Sequence, residues 1–415
     1  MFPSQYHLTS PLLLFFLVSS TQSLKLSHPS SKFPFTHDPG FDIEKVAALG
    51  KSLPSHSWEY GTAAEALLEL YDPEISVFSP SFLSKTSRYL RTHRGRIRSL
   101  EYAADVITLG TDQNALSHGG GAIADPASLG VSAILLGDYL KEGEKFADAA
   151  TEQMGFTVGE APRWENGAIS HRLEAPELWA DFVYMAPPFL AYYGLYNENL
   201  TLLEESVEQC RLYRQVLQAS GGGLWRHIVG PSSPDPGLWS TGNAWAAAGM
   251  TRILAAVTNT PKSVFGKDTE KKYTRWRSDA IESLTGYITE ILDGAIAAPK
   301  DDGLLRNYLD DTSGGGHGFG EISGSTLLAS VVYRMAVLQP KVFAKRGSEY
   351  LNWADGIMKT MGKGGHITEN GTATPAVNPL AWQDTKPFTT GSPEGQNFVV
   401  LMYVAWRDCV DAGIC

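Results

Sequence analysis

Carboxylates are the side chains of this sequence best placed to do chemistry. Asp181 stands in Glu177-Leu178-Trp179-Ala180-Asp181-Phe182-Val183-Tyr184-Met185, three residues after Leu178 and four before Met185, beside an apolar stripe at helical spacing. A carboxyl group drawn out of water is driven toward its neutral form, and its pKa rises as a general acid near neutrality requires. An aspartate that caps a helix start shifts the other way, so spacing alone leaves both roles open. Asp125, in Ala122-Ile123-Ala124-Asp125-Pro126, precedes a helical run from Ser128 and has an N-terminal cap as its plain alternative. Glycoside cleavage commonly uses two carboxyl groups, so Asp125 gains meaning if folding brings it to Asp181. The Asp310-Asp311 pair is a third candidate, in a setting that reads as a turn.

Aromatic and imidazole groups gather near these acids. His171 and Trp179 precede Asp181, and Trp225, His227, Trp239 and Trp245 follow in the next long loop and helix. Sugar rings stack on tryptophan while polar tips meet their hydroxyls, although a tryptophan taken singly is a core residue more often than a platform. Other chemistries find little support. The ten histidines are scattered, with no HExxH and no Cys/His cluster at ligand spacing, so neither a metal nor another cofactor is expected. The nearest approach to a serine-nucleophile elbow, Glu321-Ile322-Ser323-Gly324-Ser325, lacks both glycines. Glycine clusters at 118–126, 221–243 and 310–321 lack the Lys-Ser/Thr of a nucleotide loop.

The elements that must position these groups are helical. Ala63, Ala64, Leu67, Leu68 and Tyr71 form one i, i+3, i+4 stripe. Leu178, Phe182, Met185, Phe189 and Tyr193 form a second, and Ala246, Met250, Ile253 and Val257 a third. Turns fall near residues 73, 141, 197, 259 and 340, a spacing of roughly 60 to 80 residues, as repeated helical hairpins produce. The economical architecture is all-α: a closed (α/α)6 barrel of six helical hairpins, with an open solenoid as the alternative.

Bulk properties bound the partners. A chain of 415 residues with 43% hydrophobic and 19% charged side chains can bury a large core. A net charge of −11 gives no support to nucleic-acid binding, and it opposes an anionic substrate unless local donors intervene. Residues 11–20 (PLLLFFLVSS) have the length of a signal-peptide core, so 1–23 are expected to direct secretion and 24–415 to form one catalytic domain. No later stretch has the length and apolarity of a transmembrane helix. Acceptor triplets at Asn199 and Asn370 agree with a secretory route. Cys409 and Cys415 are spaced to close a small loop, leaving Cys210 free.

The Glu177–Met185 segment, continuing through Pro188-Phe189-Leu190 and Tyr193-Gly194, resembles the W-x-D-x-x-(Y/F)-M…PFL…YG signature of glycoside hydrolase families 88 and 105. These are the unsaturated glucuronyl and rhamnogalacturonyl hydrolases. Trp239-Ser240-Thr241-Gly242-Asn243-Ala244-Trp245 resembles their W-x-R-G-N-G-W segment. Asp310-Asp311, Glu321–Ser325 and Ser392-Pro393-Glu394-Gly395-Gln396 resemble their later motifs, in the same order. The resemblance implies an (α/α)6 barrel and hydrolysis of a Δ4,5-unsaturated uronic acid from lyase-generated oligosaccharides, such as rhamnogalacturonan fragments of pectin. It implies Asp181 as acid/base and Asp125 as second aspartate, with His171, Trp179, His227, Trp239, Asn243 and Trp245 around the sugar. Thr241 stands where the family has arginine, and loss of a charge-assisted contact to a uronate costs on the order of 1.5–3 kcal/mol. Arg163, Arg172 and Arg226 are the alternative donors in nearby loops. A glycosidase acting on saturated glycans and a carbohydrate-binding protein without turnover are the competing readings.

Overall fold

A helix apolar on every side has to be surrounded by other helices, and several segments of this chain meet that description. The computed structural model describes residues 34–80, 82–92, 96–313, 316–345, 348–363 and 365–415. The expected signal peptide, and residues 24–33 of the expected domain, lie outside them. Among the described residues the barrel is built from α1 (Ile43–Ser52), α2 (Ser57–Tyr71), α3 (Arg98–Val106), α4 (Gly130–Tyr139), α5 (Glu144–Gly159), α6 (Pro187–Tyr196), α7 (Leu200–Leu217), α8 (Ser240–Asn259), α9 (Lys267–Ala297), α10 (Ile322–Leu338), α11 (Glu349–Gly362) and α12 (Pro393–Asp411). Every residue of α8 from 240 to 257, and every residue of α10 from 322 to 336, is buried. α9, by contrast, buries one stripe: Tyr273, Ala280, Leu284, Ile288, Ile291, Leu292 and Ala295.

The even-numbered helices form an inner ring. α2 meets the short turn Ala124–Ala127 that leads into α4, α4 meets α6, and the ring continues through α8, α10 and α12 back to α2. Each outer helix backs one inner helix: α3 on α2, α5 on α4, α7 on α6, α9 on α8 and α11 on α10. α1 backs α12, so the sixth hairpin joins residues from opposite ends of the chain. This is the all-α, six-hairpin barrel the sequence predicts. The turns expected near 73, 141, 197, 259 and 340 follow α2, α4, α6, α8 and α10, and the first opens a longer link that carries a further helix, Phe82–Thr92. Because an outer helix follows each inner one from α2 to α10 along the chain, after a short link for α4, α6 and α8 and a longer one for α2 and α10, the inner helices run parallel. Their N-termini open at one mouth, fed by long loops.

Ion pairs brace the inner ring in the deep interior. Glu65 on α2 pairs with Arg252 on α8 at 2.7 Å, and Glu69 on α2 pairs with Arg334 on α10 at 2.6 Å. Arg334 also reaches Asp408 on α12 at 2.5 Å. Burial raises Glu69 to about 7 even with the guanidiniums beside it. Removing one partner from such a pair strands a charge out of water, which costs about 3–5 kcal/mol. At the end of α12, Cys409 and Cys415 are disulfide-bonded, and Cys210 is a buried free thiol.

Candidate active site

The loops at the mouth are held to one another by short antiparallel pairs, and these fix the geometry of the site. Ile123 N–H donates to His171 O at 2.8 Å and His171 N–H to Glu177 O at 2.8 Å. Strand β1 (Leu178–Trp179) pairs with β2 (Ile228–Val229), Trp179 opposite Ile228, and Ala180 N–H donates to His227 O at 2.9 Å. The loop then doubles back: His227 N–H meets Gly237 O at 3.0 Å, and Ile228 and Asp235 exchange both backbone bonds. Finally Ser240 N–H donates to Asn307 O, and Leu309 N–H to Leu238 O. Asp125, His171, Asp181, His227, Asp235 and Tyr308 are thereby brought to one mouth from positions spread along the chain.

Asp181 does not sit within a continuous helix. Residues 178–179 are extended, Phe182–Met185 make a single turn, and Pro187-Pro188 start α6 afresh. The stripe predicted from Leu178 to Tyr193 is nonetheless buried through Phe189, with Tyr193 half-buried, because strand, turn and helix all rest on the same core. Asp181 occupies the position before the turn without making a capping bond. Asp125 lies inside the Ala124–Ala127 turn and caps nothing either. Both carboxyl groups are therefore free for other partners. α8 comes close enough to the Phe182–Met185 turn that a side chain at Gly249 would lie 2.1 Å from Val183 O.

His227 is the hub. It is 1% exposed. Its Nδ1 bonds Asp235 Oδ2 at 2.9 Å, and its Nε2 lies 3.3 Å from Asp181 Oδ2 without hydrogen-bond alignment. Burial opposes protonation of the ring, but the carboxyl groups of Asp181 and Asp235 outweigh it and raise the pKa. Asp235 in turn accepts Tyr308 Oη–H on Oδ2 at 2.6 Å and Gly237 N–H on Oδ1 at 3.0 Å. Burial pushes Asp235 up, and these bonds together with His227 pull it net below the carboxylate range.

On the other side, His171 Nε2 lies 3.8 Å from Asp125 Oδ1. Burial lowers His171 to about 3 and, reinforced by the charge of Asp181, raises Asp125 to about 8. At neutral pH both are uncharged, so their contact is not an ion pair. Environments that set neighbouring titratable groups apart in this way are characteristic of acid/base sites.

Aromatic rings wall the mouth. Trp179 stacks on His171 with centroids 4.8 Å apart and meets the edges of His227 and Trp382. Trp239 packs on His227 at 4.3 Å and is held by an Nε1–H bond to Asn307 Oδ1. Trp179 and Trp382 remain partly exposed. Glu177 anchors the loop, accepting Trp179 Nε1–H and the backbone N–H groups of Ser232 and Ser233.

Other residues named from sequence have supporting places. Asn243 uses its side-chain amide on backbone, donating to Trp225 O and Trp239 O and accepting Trp225 N–H, which makes it a brace for the loop. Trp245 is wholly buried between Tyr184 and Phe398, one helical turn below the mouth. Asp311 closes a turn onto Ser313 and His317. Of the three arginines, Arg163 is tied to Val158 O, Gly167 O and Glu205, whereas the charge of Arg172 reaches both Asp125 and His171. Arg172 folds over Gly121, whose φ of +86° suits glycine and where a Cβ would touch Nη2 at 3.0 Å. Asp235, Tyr308 and Trp382 escape sequence reasoning: they lie in irregular loops, and their partners are set by loop pairing rather than by spacing.

Two measurements check these electrostatics. Removing one flanking carboxylate with Asp235→Asn lowers the His227 pKa, in a titration followed by histidine NMR. An unshifted titration contradicts the clamp. For Asp125, the native state holds a proton up to about pH 8 that the unfolded chain releases near the ordinary aspartate value. Its contribution to stability is therefore complete at low pH and is lost as pH rises through 8. Asp125→Asn escapes that loss, so its denaturation midpoint gains on wild type between pH 5 and pH 8. A constant difference argues that Asp125 ionises freely.

Residues 124–332, just over half of the chain, match the family model described as Glycosyl Hydrolase Family 88. None of the curated proteins matches the sequence. Among solved structures, a possible member of the GH105 family from Salmonella enterica serovar Paratyphi A is similar, with a TM-score of 0.60, 16% identity, and 85% of this chain and 83% of that one covered. The family 105 glycoside hydrolase of C. acetobutylicum gives 0.59 at 15% identity, covering 88% and 99%. An unsaturated glucuronyl hydrolase responsible for glycosaminoglycan degradation, from Bacillus sp. GL1, gives 0.56 at 12% identity, covering 89% and 96%. At these identities the structures speak for the fold. The matched segment runs from the Asp125 turn past Asp181, His227 and Tyr308 into α10, and on it rests the conclusion that this chain belongs to glycosyl hydrolase family 88, a glycoside hydrolase with an oligosaccharide substrate.

Proposed function

We propose that the protein removes a Δ4,5-unsaturated uronic acid from the end of lyase-generated oligosaccharides, with rhamnogalacturonan fragments of pectin as the preferred class, and that it acts outside the cell. The observation that carries this reading is Asp181 facing the His227 imidazole at 3.3 Å in a mouth walled by Trp179, Trp239 and Trp382. The similarity to unsaturated glucuronyl hydrolases in fold supports it.

In this account Asp181 delivers a proton to C4 of the enol ether and takes one from the water that bonds to C5. The hemiketal so formed opens the ring by breaking C5–O5. The hemiacetal left at C1 then expels the aglycone alcohol. One water is consumed, and no bond to the enzyme forms. His227, held by Asp235 and Tyr308, fixes Asp181 in place and offsets charge as the proton moves. Asp125, neutral at working pH, is free to donate to the sugar. Arg172, whose charge reaches Asp125 and His171, is the natural partner of the uronate, in the role that Thr241 cannot fill.

The test follows the ultraviolet absorbance of the conjugated uronate on rhamnogalacturonan, glucuronan and glycosaminoglycan fragments made by lyases. Wild type bleaches the band on at least the first, and Asp181→Asn slows it by on the order of 10²- to 10⁴-fold. Persistence of the band with all three substrates sinks the reading.

A further inference from the structure

Glu394 is a buried carboxyl group with one oxygen unused. It lies in the first turn of α12, 2% exposed. Trp58 Nε1–H donates to Oε1 at 2.9 Å, while Oε2 is buried without a partner. Among the described residues no cation pairs with it. Burial, reinforced by the carboxyl groups of Asp181, Glu59 and Glu321, pushes its pKa well up. A neutral acid whose Oε1 already accepts a bond carries its proton on Oε2, and so presents a donor.

Thr241 offers a matching group. Its hydroxyl is buried and unpartnered in the first turn of α8. The two side chains sit at the same level of the barrel. Trp245 and Phe398 meet edge to face across the ring at 4.6 Å, and Thr241 and Glu394 each stand four residues before one of them. Since α8 and α12 run parallel, a step of four residues toward both N-termini carries Thr241 and Glu394 toward the end of the barrel that bears Asp181 and His227. The next residue on α8, Gly242, lies beside the His227 ring, where a Cβ would be 3.5 Å from Cδ2. Two hydrogen-bonding groups buried without partners in a native protein call for an explanation, and a bound ligand supplies one.

We propose that Glu394 and Thr241 form a subsite that holds a hydroxyl group of the terminal sugar, Glu394 donating from Oε2 and Thr241 completing the pair. The ligand atom is an uncharged hydroxyl because Asp181, Glu59 and Glu321 surround this side of the mouth and repel an anion. The carboxylate of the sugar then lies toward Arg172, and the two polar ends of the ring are told apart. This deepens the unsaturated-uronide reading and rests on it.

The experiment measures calorimetric affinity for an unsaturated rhamnogalacturonan disaccharide in the Asp181→Asn protein, which separates binding from turnover. In that background Glu394→Ala and Thr241→Val each weaken binding about tenfold. Glu394→Gln, which keeps a neutral donor beside Trp58, binds within about threefold, and thermal melts confirm that each variant is folded. A Glu394→Ala protein that binds as tightly as its parent overturns the subsite, as does a Glu394→Gln protein as weak as the alanine variant. Failure of the Asp181→Asn parent to bind any disaccharide overturns the substrate reading itself, and the subsite with it.

Discussion

His227 is buried to the last few per cent between the carboxyl groups of Asp181 and Asp235, and the rest of the mouth is arranged around that contact. Taking an imidazolium out of water is costly unless opposite charge and hydrogen bonds replace the lost hydration. Here Asp235 supplies both, and Tyr308 and Gly237 satisfy Asp235 in turn. The chain must hold these groups to within fractions of an ångström. It does so with backbone: the Ile228–Asp235 pair sets His227 against Asp235, and the Trp179–Ile228 pair sets Asp181 against His227. The barrel beneath gives those loops a rigid base.

The second constraint is charge. With a net charge of −11, the protein repels anions at long range, yet its proposed substrate is a uronate. Burial resolves part of the conflict, since Asp125 and Glu394 are driven toward their neutral forms and add little negative potential to the mouth. The parallel inner helices contribute the rest. Their N-termini open at the mouth, and the partial positive charge of each helix start offsets part of the negative potential of the carboxyl groups. Arg172 adds a full charge at the edge.

Helical periodicity and the run of turns near 73, 141, 197, 259 and 340 made the hairpin repeat legible in the sequence, because inner helices such as α8 and α10 are buried on nearly every side and a turn follows each. The sixth hairpin escaped that rhythm because α1 and α12 come from opposite ends of the chain. Asp181 was legible as an acid among aromatics, but the helix expected around it is interrupted by an extended pair and by Pro187-Pro188. Asn243 stood in a recognisable motif, and only the structure shows its amide committed to backbone. The pairing of Asp235 with Tyr308 spans 73 residues, and that of Glu394 with Trp58 spans 336. Side chains that meet only through tertiary packing leave no periodic trace, so these contacts were out of reach.

The central claim is that Asp181 drives addition of water across a double bond rather than direct cleavage at C1. Proton NMR of an unsaturated disaccharide during turnover tests it most directly, since the vinyl H4 and the linked anomeric proton are resolved together. Hydration predicts that both signals vanish at the same rate, as free aglycone appears in equal amount. Release of aglycone while the vinyl signal persists on the liberated sugar would contradict the account.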